Sequence, residues 1–198
     1  MATADILVTP ARIFYAPVGE SLPDENSVAY GEAWAGNWAD LGYTLNPVTM
    51  NITRDLFELF VEQLTNPVRR KITQETLTIE TTLAEITGDN LLLAFGGTVT
   101  ETPAGAAQVA KTELEAGGDT SPDVYAFGLE GEYLDDSNDS FPVRVLMFRG
   151  NPILGGAMQF AKSAGMGIPI RITAEADTTK AVGKQLLLIQ KVTADHTT

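Results

Sequence analysis

Apolar and polar residues alternate with a period of two along most of the chain, in runs broken by Gly, Pro, Asn and Asp. That period puts successive side chains on opposite faces of an extended backbone, so the runs read as β-strands. They fall near residues 5–9, 12–17, 37–44, 47–53, 56–64, 70–85, 98–101, 123–134, 141–149, 153–162, 168–176 and 186–193. One segment reads as a helix. Thr87-Gly88-Asp89-Asn90 offers an N-cap and an acidic first turn, Leu91 to Phe95 supplies an apolar body, and Gly96-Gly97 suits a left-handed C-cap. The pattern therefore predicts a mainly β fold, a two-sheet sandwich or rolled barrel with one short flanking α-helix. No repeat or domain boundary interrupts it, so residues 1–198 read as a single domain. Residues 102–122, rich in Ala, Gly, Thr, Pro and Glu, read as a surface loop excursion with one short strand near Gln108 to Leu114.

Two strands joined by Thr65-Asn66-Pro67-Val68-Arg69-Arg70-Lys71 stand out. On the incoming strand Phe57, Leu59 and Val61 share one face, and Glu58 and Glu62 share the other with Phe60. On the outgoing strand Leu77 and Ile79 share a face opposite Thr76, Thr78 and Glu80. The strand after Gly167 repeats the theme, with Ile168, Ile170 and Ile172 against Arg171, Thr173 and Glu175. Just upstream, Met50 and Ile52 are apolar at even positions, whereas Phe57 and Leu59 are apolar at odd ones. Such a parity change calls for an inserted residue, and a bulge is expected near Arg54-Asp55. Parity then places Phe57, Leu59, Val61, Leu77, Ile79, Ile170 and Ile172 in the core. It places Glu58, Glu62, Thr76, Thr78, Glu80, Thr173 and Glu175 on a common polar face. An ordinary solvent-facing sheet gives the same pattern.

Composition narrows the chemistry. The chain has 198 residues, 44% of them hydrophobic, enough for a core without staples. It has no cysteine, which excludes disulfides, thiolate metal sites and a Cys nucleophile, and its one histidine, His196, lies at the polar C-terminal end. The formal charge of −13 argues against gripping nucleic acid by its phosphates. Asp135-Asp136-Ser137-Asn138-Asp139 superficially resembles a calcium loop, but Ser140 stands where that loop needs Gly and Leu146 where it needs Glu. Gly155-Gly156 and Gly165-Met166-Gly167 lack the Lys-Ser/Thr of a phosphate loop. No secretory signal or bilayer-length apolar run is evident, so a soluble protein made in the cytoplasm, without membrane insertion, is expected. Catalytic residues, metal sites and cofactors: none is predicted.

The run from Val8 to Gly19, then Trp38-Ala39-Asp40-Leu41-Gly42-Tyr43-Thr44, resembles the N-terminal portion of major tail tube proteins of long-tailed bacteriophages. The similarity continues through Val61-Glu62-Gln63, Asn66-Pro67-Val68-Arg69-Arg70, Thr82-Leu83-Ala84-Glu85 and Asn90-Leu91, and returns at Phe160-Ala161-Lys162-Ser163 and Ile168-Pro169-Ile170. Residues 102–122 depart from any pattern of that family.

The resemblance implies a structural virion protein, assembled in the host cytoplasm, whose hexameric rings stack into a hollow tube. Its partners would be itself, a tape measure protein, tail tip and tail terminator proteins, and DNA passing without sequence preference. About 24 strands from six subunits, at ~4.8 Å spacing, close a circumference of roughly 115 Å before tilt. On that reading Glu58, Glu62, Thr76, Thr78, Glu80, Thr173 and Glu175 face an acidic lumen. The loop carrying Asn66, Pro67, Arg69, Arg70 and Lys71 makes an inter-ring contact through complementary charge. The tube of a contractile or type VI-like machine, a capsid decoration or adhesin sandwich, and a two-carboxylate glycoside hydrolase remain open as other readings.

Overall fold

The computed structural model describes residues 10–118, 120–134, 139–159 and 165–193. The strand expected at 5–9, the turn residues 135–138, His196, and the family-like residues Val8, Thr9 and Phe160–Ser163 lie outside them. Among the described residues ten strands and one helix follow in the order β1 (Arg12–Pro17), β2 (Ala39–Asp40), β3 (Thr49–Leu59), β4 (Arg69–Leu83), α1 (Gly88–Phe95), β5 (Thr98–Thr102), β6 (Lys111–Glu115), β7 (Tyr125–Leu134), β8 (Ser140–Leu154), β9 (Ile168–Ala174) and β10 (Leu187–Lys191). The fold is mainly β, as the alternation predicts.

Strand β8 organises the sheet. Its first half pairs β7 on one edge and β10 on the other, through Val143 to Met147. Its second half, Gly150 to Leu154, exchanges β10 for β9, and the sheet continues through β4 to β3. One strand thus belongs to two layers, β2-β1-β7-β8-β10 and β8-β9-β4-β3, the arrangement by which a single sheet folds into a sandwich. Between them lie Ile13, Phe127, Leu129 and Met147 from the first layer and Leu77, Ile79, Ile170 and Ile172 from the second, all buried, with Leu93 of α1 closing one end. The strand expected at 141–149 runs on as β8 to Leu154, so of the strand expected at 153–162 only Ile153 and Leu154 are in it; 155–159 are not strand and 160–162 lie outside the described residues. Pro152 does not break β8, because beyond Gly150 the strand is paired on one side only, where a proline is tolerated. The segments 47–53 and 56–64 meet in one strand, β3, which covers 49–59 and leaves 60–64 to the turn, and 37–44 shrinks to β2 plus one bridge from Thr44 to Leu83.

The helix forms as its caps predict. The Thr87 hydroxyl accepts from the Asn90 N–H at 3.2 Å, and Gly96, at φ 68°, returns its N–H to Leu92. The Asn90 amide then donates to the carbonyls of Leu41 and Glu85, tying the helix start to two loops. Residues 98–115 form a separate two-stranded sheet, β5 with β6, so the excursion contains a hairpin whose second strand is Lys111–Glu115. Near α1 the Tyr15 phenol is pushed up to about 12, first by burial and next by the Asp89 carboxylate.

The outer face of the first layer is also covered. A strap, residues 20–38, crosses it, with Trp34 stacked 4.2 Å from Phe14 and set edge-on to Trp38. Trp34 rests on Gly128, where any β-carbon would stand 2.3 Å from its ring. Beneath the strap, Arg12, Glu130 and Arg144 form a row across β1, β7 and β8. Glu130 and Arg144 are wholly buried and joined at 3.1 Å. The Glu130 carboxylate also accepts from the Trp34 indole and the Gly31 N–H, each at 3.2 Å, while Arg144 donates to the Val28 carbonyl at 2.6 Å.

Removing Glu130 strands the buried Arg144 guanidinium, and removing Arg144 leaves Glu130 only Arg12, at 3.7 Å; breaking a buried pair costs about 3–5 kcal/mol. Arg144→Met and Glu130→Ala should each lower the urea midpoint by that equivalent, with the Trp34 fluorescence change tracking the loss of the strap. The Tyr15 shift predicts an alkaline limb. An unfolded tyrosine ionises near 10 whereas the folded one holds its proton to about 12, so this stabilisation is complete below pH 10 and is lost as pH rises through 12. Thermal melts of Tyr15→Phe should be less steep over that window than those of the parent.

Candidate functional site

Of the sandwich's sheet faces, the two inner ones bury the core and the outer face of the first layer lies under the strap. The outer face of the second layer is bare. Register places Thr78 beside Thr173 and Glu80 beside Arg171 on it, with Thr49, Asn51 and Thr53 alongside on β3 and Asn151 on β8. Thr76, Thr78, Glu80 and Thr173 thus share one face, and Glu175 follows directly after β9. This face is less acidic than the sequence pattern suggests. Arg171 meets Glu80 at 2.6 Å and Arg149 meets Glu175 at 3.4 Å, so both carboxylates carry a cation. The surface is a field of hydroxyls and amides with compensated charge.

Beyond β9 the β3–β4 pair continues as an unsupported ribbon. β9 reaches only to Thr78, whereas β3 and β4 stay paired out to Leu59 and Arg69. The turn at its end is closed by the Val68 N–H on the Leu59 carbonyl at 2.8 Å. The expected bulge is present, between Asp55 and Leu56, but its extra residue is Thr73 on the opposite strand. Parity along β3 is therefore unbroken, and three expectations are overturned. Phe57 and Leu59 lie on the hydroxyl face, not in the core, at 56% and 45% exposure. Glu58 lies on the opposite face, paired with Arg70 at 2.6 Å. Val61 and Glu62 fall beyond the end of β3 in the turn, and Val61 is exposed. The shift of apolar residues from even to odd positions in β3 reads as an inserted residue only if both sets are core; here Phe57 and Leu59 are apolar residues left on an exposed face.

Asn66 and Pro67 occupy the turn, while Arg69, Arg70 and Lys71 open β4. With Arg70 taken by Glu58, Arg69 and Lys71 stand opposite Leu59 and Phe57 on the other side of the ribbon, without an ion pair among the described residues. On the core-side face Ile52, Leu56 and Ile72 are 40–51% exposed, separated by the Arg54–Glu75 pair at 2.7 Å. Among the described residues almost half of the exposed large apolar ones lie from Met50 to Ile72. The stretch 49–77 has four basic and four acidic residues, so the whole net charge of −13 resides on the body.

A two-stranded ribbon with both faces wet is marginal alone, and a concentrated apolar surface of this kind marks an interaction site. Leu56→Ser with Ile72→Ser should therefore change the unfolding free energy of dilute subunits by less than about 0.5 kcal/mol, against 2–5 kcal/mol for Leu77→Ala in the core. The same pair of substitutions should abolish self-association in light scattering.

Among the described residues no cluster of three or more potential metal ligands occurs, and no helix is long and apolar enough to cross a membrane. No curated protein matches the chain. The family model described as phage tail tube protein matches residues 3–187. With that match over nearly its whole length, an open polar sheet face and an apolar ribbon reaching out from the body, the chain belongs to the phage tail tube protein family.

Proposed function

We propose that this protein forms hexameric rings that stack into a hollow tube whose bore is lined by the bare hydroxyl face. Family membership makes it a structural, tube-forming component of the virion tail that associates with copies of itself. The observation that supports the bore assignment is the asymmetry of the sandwich: one outer face lies under an aromatic strap, while the other is uncovered and carries Thr76, Thr78, Glu80 and Thr173. A tape measure protein held there meets hydroxyls and amides that exchange hydrogen bonds readily with water. DNA meets a wall whose arginines are already engaged by Glu80 and Glu175, so few cations are free to condense its phosphates. The wall ends at the bulge. Beyond it the same face turns apolar and cationic at Phe57, Leu59, Arg69 and Lys71, which suits contact with protein rather than a wet channel. We assign Asn66, Pro67, Arg69 and Lys71 to the junction with the adjacent ring, and Arg70 to bracing the ribbon through Glu58. Tail tip and terminator proteins cap the ends, and no catalytic step is involved.

Electron microscopy of the purified protein should show hollow rods or stacked rings; monomers at every concentration and salt, even with a tail-tip nucleus present, would remove the assignment. The bore is tested by Glu80→Lys, which frees Arg171 and adds a second cation. Tubes should keep their dimensions while DNA ejection slows, most at low salt. Ejection at the parental rate would place another face inside.

A further inference from the structure

Between the C-terminal end of α1 and the segment 117–123 lies a cavity of ≈ 250 Å³, bordered on the sandwich side by Tyr125, Pro152 and Ile153. This volume is below the ~300 Å³ at which small-molecule sites begin, so it suits a side chain or two of a partner. Gly117 and Gly118 edge the cavity, and a β-carbon at either would meet no atom within 4 Å, which leaves the mouth open. Phe95 and Ile153 on its walls remain exposed. Its polar groups carry negative potential. The carbonyl end of α1 borders it, and the last turn of that helix holds no basic residue to offset the carbonyls. Asp123 adds a carboxylate that has no ion pair among the described residues. The Tyr125 phenol holds its proton above the ordinary tyrosine range, first through burial and then through the Asp123 and Asp89 carboxylates. Around the cavity, the stretch 86–123 has six acidic residues and one lysine.

We propose that this cavity receives the turn 180–184 of a second copy of the chain. The inference rests on the tube reading and names a contact between copies that is separate from the ribbon. Three observations select the occupant. Val182, in that turn, is 93% exposed, an apolar knob with no cover in its own subunit. The turn is preorganised. The Lys184 N–H donates to the Ala181 carbonyl at 3.0 Å, the Lys180 N–H donates to the Asp177 carbonyl at 3.1 Å, and the Lys180 ammonium sits 4.8 Å over the Phe148 ring. A turn held in this way loses little freedom on docking, and none of its residues lines the cavity of its own chain. Charge agrees. The segment 178–194 has three lysines and no acidic residue, and Lys184 has no ion pair among the described residues. Val182 of one copy then covers Phe95 and Ile153 of the next, while Lys184 meets Asp123 and the carbonyl end of α1. A knob of one copy in the cavity of another is a heterologous contact, which propagates from copy to copy.

The absence of cysteine makes the test direct. Val182→Cys marks the turn and Thr120→Cys marks the rim of the cavity, both at exposed positions where folding is insensitive to the change. The two variants are mixed, allowed to assemble, and treated with a short bifunctional thiol reagent. The mixture should give a dimer band that neither variant gives alone. Lys184→Glu, added to the Val182→Cys chain, should cut the yield of that dimer about fivefold, and Asp123→Lys, added to the Thr120→Cys chain, should restore it. Dimers from Val182→Cys alone would mean that turns meet turns, and a bond only within a chain carrying both cysteines would mean that the turn enters its own cavity. Either overturns the proposal, as does a yield unmoved by the charge changes, because charge selects the occupant. Microscopy of the same samples separates the two levels: tubes or rings without the bond reject the cavity contact alone, and the lack of any tube or ring rejects the tube reading.

Discussion

The buried pair of Glu130 and Arg144 is the interaction on which the layering depends. Two full charges sealed from water are tolerable only when every polar atom near them is engaged, and the strap supplies what the strands lack: the Trp34 indole, the Gly31 N–H and the Val28 carbonyl. The strap is held by the charges and the charges are sealed by the strap. With that face of the sandwich closed, the open surfaces are the opposite face and the ribbon. The difference between a closed and an open side starts at two residues that are themselves wholly buried.

Much of the fold was legible in the sequence because alternation reports burial directly. Leu77, Ile79, Ile170 and Ile172 lie in the core where their period puts them, and Thr87 and Gly96 cap α1 as their chemistry suggests. What could not be read has a common physical origin. Glu130 and Arg144 alternate with apolar neighbours as any solvent-facing residues would, and only the strap, distant in sequence, turns their face into an interior. Phe57 and Leu59 have the period of core residues yet stay exposed, because no second layer lies over the ribbon. Alternation distinguishes the two sides of a strand; it does not say which side is covered, or by which molecule.

The candidate site was legible in the same partial way. Thr76, Thr78, Glu80 and Thr173 came together as their parity required, and the compensation of Glu80 by Arg171 was hidden because it depends on register between strands far apart in the chain. The ribbon's electroneutrality, by contrast, could be counted from residues alone, but its meaning appears only once those residues are seen to leave the body.

The bulge at Thr73 sits close to where the ribbon loses the support of β9. An extra residue there bends the strand pair and steepens its twist, so it sets the direction in which the ribbon leaves the subunit. The bearing of the ribbon's exposed apolar surface is in that sense a local backbone property: where Leu56, Phe57 and Leu59 stand relative to the body follows from the bend around one threonine.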